Sequence, residues 1–157
     1  MKAQALSLKN DSRNLPQTKE EKVLTLEDIV KEFQECPFFH HLGLEVIRFE
    51  EGDVLLKLEM KEELLNTNGT MHGGVYASLL DFVQSMHLRS VTKTRCVTTS
   101  LNVLYAAPVM SGTVYAEAEI ISKGYKTAFV EAVLKDETGK LVSKGTGTFK
   151  LIRPTEK

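Results

Sequence analysis

The chain has 157 residues, a length typical of one domain, and 42% of them are hydrophobic. Lys and Arg number 20 against 21 Asp and Glu, which gives a formal net charge of −1, and Trp is absent. This composition disfavours nucleic acid as a partner, because such binders carry a basic excess and aromatic stacking platforms. No charge-free apolar stretch of about 18 residues occurs, so the sequence predicts a soluble chain without a membrane-spanning helix.

Residues 1–24 contain few large apolar side chains and no periodicity, which predicts an N-terminal arm or tail. They lack the apolar core of a secretory signal. Cys36 and Cys96 show no spacing typical of a metal site. We therefore expect both cysteines to be reduced and packed, in a cytoplasmic protein whose single domain covers residues 25–154.

The first predicted element is a helix that begins after Thr25, a residue that can cap it. Leu26, Ile29 and Phe33 fall on one face of this helix, and Pro37 ends it. Alternating apolar residues then predict two strands, 45–49 and 54–58, joined as a hairpin.

The apolar period changes over residues 73–90, which predicts one long helix. Alternation returns afterwards and predicts four strands in an antiparallel meander, at residues 96–107, 113–121, 127–135 and 141–152. Two strands, one long helix and four strands indicate an α+β fold in which a curved sheet wraps the helix. The remaining sheet edges favour a homodimer.

The long helix carries a face of small residues around Asp81, opposite a bulky apolar stripe. Asp81 is the only acid between Leu64 and Ala116, whereas a solvated helix face usually carries several. Two interpretations stay open. Asp81 serves a functional site, or it caps a neighbouring loop or pairs with Arg89 or Arg95.

The helix opens with His72, Gly73 and Gly74. Two glycines let a ligand approach the backbone, where first-turn N–H groups can polarise a carbonyl oxygen; a plain turn is the alternative. The pattern matches neither common phosphate-binding loop. We expect His72 to fix the turn by hydrogen bonding rather than act as a base. The other histidines are His40 and His41, which lack ligands at metal spacing, and His87, which we expect to be structural.

His72 and Asp81 are nine residues apart, or roughly 13 Å along a straight helix, so one chain cannot bring both to one atom. Two helices that meet antiparallel across a two-fold axis would place Asp81 of one subunit against Gly73 of the other. A site built from these residues therefore requires a dimer.

The spacing of Asn66, Gly69, His72-Gly73-Gly74 and Asp81 resembles the motif of hot-dog-fold acyl-CoA thioesterases of the PaaI-like, phenylacetate-pathway type. Residues 139–149 resemble the last hairpin of that family, and the similarity covers about residues 38–152. The resemblance implies a hot-dog fold and hydrolysis of an acyl-CoA thioester to free acid and CoA. It also implies a homodimer that assembles into a homotetramer. CoA is then part of the substrate, and neither a separate cofactor nor a metal is expected.

The resemblance implies a role for each matching residue. Asp81 is the nucleophile or the general base for water, and the amide of Gly73 polarises the thioester carbonyl. The assisting groups are Asn66 for the carbonyl or the water, His72 for the loop, and Thr98 or Thr99 from the following strand.

The CoA moiety needs phosphate partners, which the sequence offers at residues 123–127. Two lysines and a glycine N–H there suit a diphosphate, and the resemblance implies nucleotide contacts in this turn too; a solvated hairpin tip is the alternative. Gly74 is also expected to contact CoA. The turn residues are Lys123, Gly124, Tyr125, Lys126 and Thr127.

An apolar acyl pocket is predicted from Met71, Val75, Tyr76, Leu79 and Leu80. Tyr76 and residues 84–88 depart from the small apolar residues typical of the family, so the acyl group does not follow from the resemblance. Two other functions stay open, a non-catalytic acyl-CoA-binding module and a hydratase or dehydratase. The latter requires a second acid near Asp81, and the sequence shows none.

Overall fold

The computed structural model describes residues 23–153. Most of the predicted N-terminal arm, residues 1–22, and residues 154–157 lie outside the described residues. The prediction of a single domain over residues 25–154 therefore stays a prediction. The elements in chain order are α1 (Leu26–Gln34), α2 (Pro37–Leu42), β1 (Leu44–Glu50), β2 (Asp53–Glu59), a short 3₁₀ turn (Glu62–Leu64), α3 (Gly73–Thr92), β3 (Cys96–Tyr105), β4 (Thr113–Lys123), β5 (Thr127–Asp136) and β6 (Leu141–Leu151).

The chain enters the fold through two short helices, of which the sequence predicted only the first. Thr25 and Asp28 form a reciprocal capping box at the start of α1. Pro37 does not only end that helix; it is also the first residue of α2, a position where its missing N–H costs nothing. Gly43, with φ of 75°, ends α2 in the left-handed conformation that glycine adopts readily.

The six strands form one antiparallel sheet in the order β1-β2-β4-β5-β6-β3. The predicted hairpin of β1 and β2 is confirmed, and so is the meander from β4 to β6. The prediction that the meander begins with β3 is wrong, because β3 pairs with β6 and lies at the edge of the sheet.

The connection between β3 and β4 explains this difference. Residues 106–112 do not form a tight hairpin but run past the start of α3. Met71 donates its N–H to the Val109 carbonyl at 2.7 Å, and the Tyr76 hydroxyl donates to the Ala107 carbonyl at 2.9 Å. The loop is thereby held at the end of the helix, and the chain re-enters the sheet beside β2 rather than beside β3.

Helix α3 packs against the apolar face of the sheet, where it fills the core. Leu79, Leu80 and Val83 are fully buried there, and the strands contribute alternate residues such as Leu56, Ala116, Val130 and Phe149. The curved antiparallel sheet around one long helix confirms the predicted α+β class and the hot-dog fold. The fold places the start of α3 beside the end of β3, and the middle of α3 beside the start of β3.

Candidate active site

The loop before α3 is fixed by its own polar side chains. The Asn66 carboxamide oxygen accepts the N–H groups of Asn68 and Thr70, at 2.8 and 3.2 Å, and its nitrogen donates to the Thr70 hydroxyl. His72 caps the helix, since its Nδ1 accepts the Gly74 N–H at 2.9 Å. These contacts hold the loop as expected for His72. The Gly74 N–H is thereby already donated within the loop, so it is not free for the predicted contact with CoA.

Gly73 stands between these anchored residues with its own N–H pointing out of the helix start. Within residues 23–153 no acceptor takes this N–H, and it lies at the positive end of the α3 dipole. The Tyr105 hydroxyl donates to the Gly73 carbonyl at 3.3 Å, and its ring lies about 3.5 Å from where a side chain on Gly73 would begin. The peptide is therefore held while its N–H stays available to an external oxygen.

Asp81 lies two turns further along α3, partly buried beside β3. The Thr98 hydroxyl donates to its Oδ1 at 2.7 Å. Burial raises the pKa of Asp81, and the hydrogen bond from Thr98 partly opposes that rise. A carboxylate whose pKa is raised is a better proton acceptor, as a general base requires.

The structure also addresses two alternatives that the sequence left open. Arg89 and Arg95 both donate to Glu32 of α1, while Asp81 accepts a hydrogen bond from Thr98. Thr99 is exposed and donates to the Thr148 carbonyl. Of the two candidate threonines, Thr98 is thus the one beside Asp81.

Gly73 and Asp81 belong to one continuous helix, and they are about 12 Å apart along its axis at 1.5 Å per residue. A thioester carbonyl that receives the Gly73 N–H is therefore out of reach of the Asp81 carboxylate in the same chain. The two groups can act together only if they come from different copies.

A cavity of about 340 Å³ opens beside Gly73. Its lining includes the two aromatic rings of Tyr76 and Tyr105, which meet edge to face with centroids 5.5 Å apart. The remaining lining residues are Asn66, Thr70, Met71, Gly73, Ala106, Ala107 and Pro108.

Of the residues predicted to form an apolar acyl pocket, Met71 and Tyr76 line this cavity. Val75, Leu79 and Leu80 are core residues instead, because their side chains pack under the sheet. A larger cavity, of about 390 Å³, lies between β2, β4 and β5 and is lined by none of the predicted site residues.

The β4–β5 turn carries the predicted phosphate-binding residues Lys123, Lys126 and Thr127. The Gly124 N–H donates to the Thr127 carbonyl, so it is not free for the phosphate contact that the sequence suggested. Arg153, which the sequence analysis missed, donates to the Tyr125 carbonyl at 3.0 Å and lies 5.0 Å from the centre of the Tyr125 ring. This arginine follows the last strand, and only the pairing of β6 with β5 brings it to the turn.

Residues 23–153 contain no group of three His, Cys, Asp or Glu side chains arranged to hold a metal ion. No helix among them is long and apolar enough to cross a membrane.

Comparisons with known proteins agree with this fold. Residues 68–143 match the family model of the thioesterase superfamily. Acyl-coenzyme A thioesterase 13 of Mus musculus is 30% identical over 128 residues, which cover 78% of this chain and 91% of that protein. A conserved protein of Pseudomonas aeruginosa shares the structure with a TM-score of 0.73 at 29% identity, covering 78% of this chain and 98% of that one.

The PaaI protein of E. coli, from the phenylacetic acid degradation operon, has a TM-score of 0.76 over 82% of this chain and 94% of its own. At 21% identity this likeness shows the fold alone. The family match and the relatives define a thioester hydrolase, as the sequence predicted. The chain belongs to the thioesterase superfamily.

Proposed function

We propose that the protein is an acyl-CoA thioesterase whose active sites lie between the two subunits of a homodimer. The observation that carries this proposal is the pair of groups on α3. A partly buried carboxylate with a raised pKa lies two turns from a backbone N–H that no acceptor within residues 23–153 takes. Relatives named acyl-coenzyme A thioesterase 13 in Mus musculus and Homo sapiens support CoA as the thiol of the substrate.

The reaction follows from these groups. The thioester carbonyl oxygen accepts the N–H of Gly73 from one subunit, which stabilises the negative charge that develops on that oxygen. Asp81 of the other subunit takes a proton from water as the water attacks the carbonyl carbon, or it attacks that carbon itself. The C–S bond then breaks, and the CoA thiolate takes up a proton. Attack by water gives the free acid directly, whereas attack by Asp81 leaves an acyl–aspartyl anhydride that water then hydrolyses to the free acid.

The supporting groups keep the reacting ones in place. Thr98 orients the Asp81 carboxylate through its hydroxyl, and His72 and Asn66 hold the loop that presents Gly73. Asn66 also lines the cavity beside Gly73, and its proposed role is to position the carbonyl or the water there. No group in this scheme requires a separate cofactor or a metal.

The edge strand β3 supports the dimer. It presents ten residues of backbone on the open side of the sheet, and such an edge pairs readily with another strand. Large side chains along it, Val97, Leu104 and Tyr105, are more than half exposed. Pairing of two β3 strands across a two-fold axis would bring the two α3 helices together, with Asp81 of each near Gly73 of the other.

The β4–β5 turn is the proposed site for the nucleotide of CoA. Thr98 of β3 pairs with Phe149 of β6, and Phe149 pairs with Ala128 of β5, next to the turn. The turn therefore lies two strands away from the Asp81–Thr98 pair. At about 4.8 Å per strand the separation across the sheet is roughly 10 Å, which the extended arm of CoA can span. Lys123, Lys126 and Arg153 supply the positive charge for its phosphates.

Two finer points belong to the same proposal. Assembly of the dimer into a PaaI-like homotetramer follows from the resemblance. A cytoplasmic location fits the two free cysteines, Cys36 and Cys96, because a reducing compartment keeps such thiols unpaired.

Replacement of Asp81 by Asn tests the proposed function. We expect Asp81→Asn to lose nearly all release of CoA thiol from acyl-CoA substrates while the dimer stays intact by size-exclusion chromatography. Asp53→Asn is the matched control, because Asp53 is exposed at the β1–β2 turn and pairs with Arg48. Full turnover by Asp81→Asn would refute the assignment, and binding of acyl-CoA without thiol release by the native protein would favour a binding module.

A further inference from the structure

The cavity beside Gly73 has one fixed wall, which is formed by Tyr76. Tyr76 is buried, its hydroxyl donates to the Ala107 carbonyl at 2.9 Å, and the same hydroxyl accepts the Val109 N–H at 3.1 Å. Two hydrogen bonds to the β3–β4 loop therefore hold the ring in one position. Tyr105 packs edge to face against it, which restricts the ring further.

This wall lies close to the expected position of the substrate carbonyl. Tyr76 is three residues after Gly73, so its Cα is about 4.5 Å further along the helix axis. Helical side chains tilt toward the N-terminus, which directs the Tyr76 ring back toward Gly73. An acyl chain that enters this cavity from a carbonyl held by the Gly73 N–H meets the ring after a short path.

The loop side of the cavity is also fixed in place. The N–H groups of Ala106 and Ala107 both donate to the Val142 carbonyl, and Met71 is tied to Val109. The cavity of about 340 Å³ is near the lower end of ligand pockets, which range from about 300 to 1,000 Å³.

From these observations, which rest on the proposed function, the geometry points to Tyr76 as the residue that sets the size of the acyl group. The site takes compact acyl groups, short chains or a single ring, and the Tyr76 ring excludes long chains. Tyr76 does not touch the reacting atoms and acts on specificity alone.

A chain-length series of acyl-CoA substrates tests this inference, with kcat/KM measured for acetyl-, butanoyl-, hexanoyl-, octanoyl-, decanoyl- and dodecanoyl-CoA. For the native protein we expect each methylene beyond the wall to lower kcat/KM by about tenfold or more. Tyr76→Leu removes most of the ring, and we expect it to raise kcat/KM for the longer substrates at least about tenfold relative to hexanoyl-CoA.

Two further variants keep the test decisive even if Tyr76→Leu folds poorly. Ala107→Val adds bulk to the cavity lining and is expected to move the cut-off to shorter chains. Tyr76→Phe keeps the ring and is expected to keep the cut-off. Tyr115→Leu is the matched control, because Tyr115 lies on β4 and does not line the cavity.

The possible failures separate the two proposals. Hydrolysis of no acyl-CoA by the native protein would overturn the proposed function. Hydrolysis of dodecanoyl-CoA as fast as hexanoyl-CoA would overturn only the role of Tyr76. An unchanged cut-off in both Tyr76→Leu and Ala107→Val would do the same.

Discussion

Gly73 is at the first position of α3, and this position allows its N–H to be deleted without loss of the helix. Proline is well tolerated there, and His72 before it has the extended conformation that a following proline requires. We expect Gly73→Pro to lower kcat by about 10²–10³, the usual effect of losing one donor to an oxyanion. Steady-state kinetics with an acyl-CoA substrate measures this change.

Gly73→Ala is the control for that substitution. It keeps the N–H, and the added methyl group would meet the Tyr105 ring at ordinary contact distances of 3.4 to 3.5 Å. We expect Gly73→Ala to retain most of the native activity. Its circular dichroism spectrum should equal that of Gly73→Pro, because both variants keep the helix. Equal loss of kcat in both variants would show that space, rather than the N–H, matters at Gly73.

The pH dependence of hydrolysis depends on Asp81. The carboxyl must be ionised to accept a proton, so kcat/KM falls as the pH drops through its pKa, which burial raises above the ordinary value of about 3.9. Thr98 opposes that rise by donating to the ionised form. We therefore expect Thr98→Val to move the acid limb of the kcat/KM profile to higher pH, and Thr98→Ser to leave it in place. An identical acid limb for Thr98→Val and the native protein would contradict the role of this hydrogen bond.

The residues of the site differ in how far the sequence alone reveals them. Asp81 stands out because no other acid is near it in the sequence, and Gly73 because a helix begins there. The choice between Thr98 and Thr99 needed the structure, since the register of β3 against β6 shifts between Thr98 and Ser100. Such a bulge changes which side chain faces the helix, and simple alternation does not predict it.

At the level of elements, the contact of α3 with β6 depends on two glycines of β6, Gly145 and Gly147. A side chain at Gly147 would begin 2.5 Å from Gln84 Oε1 and 2.7 Å from the Phe149 ring, closer than real contacts allow. Gln84 is fully buried, and neither polar atom of its carboxamide has a partner within the described residues. The helix and the strand are therefore packed as tightly as glycine permits.

Replacement of Gly147 by Ala tests this packing. We expect Gly147→Ala to lower the free energy of unfolding by about 1–3 kcal/mol, since the added methyl group forces Gln84 and Phe149 to move. Gly124→Ala is the matched control, because Gly124 is exposed in a turn and the added methyl group would lie 3.4 Å from the Thr127 carbonyl oxygen, an ordinary contact. Urea denaturation measures both values. Equal free energies of unfolding for the two variants would show that α3 and β6 can move apart at little energetic cost.

The elements themselves were largely predictable from periodicity. Alternation identified all six strands, and the change of period at Gly73 identified α3, because both patterns follow from one buried face. The position of β3 was not predictable in the same way. It depends on the loop over the helix start, where Tyr76 and Met71 bind Ala107 and Val109, and these contacts join residues more than 30 positions apart.

On the scale of the whole molecule, Gly73 and Asp81 are too far apart on one rigid helix to act on the same substrate. A site shared between two subunits therefore predicts a result that a site within one chain does not. If each active site takes Gly73 from one subunit and Asp81 from the other, then Gly73→Pro and Asp81→Asn damage opposite halves of a site. In a heterodimer of the two variants, one site carries both damaged residues and the other carries neither. We expect two inactive variants to restore activity when they assemble together.

The restored activity has an expected size. Random assembly makes half of the dimers mixed, and each mixed dimer has one intact site of two, so about a quarter of the native activity should return. The two variants are co-expressed with different affinity tags, the mixed dimer is isolated through both tags, and thiol release is measured. The doubly tagged fraction should then show about half the native activity if it consists of dimers, and between a quarter and a half if dimers pair into tetramers, whereas each variant alone stays inactive. A mixed dimer as inactive as its parents would contradict a site shared between subunits, because each mixed dimer would contain one such site intact.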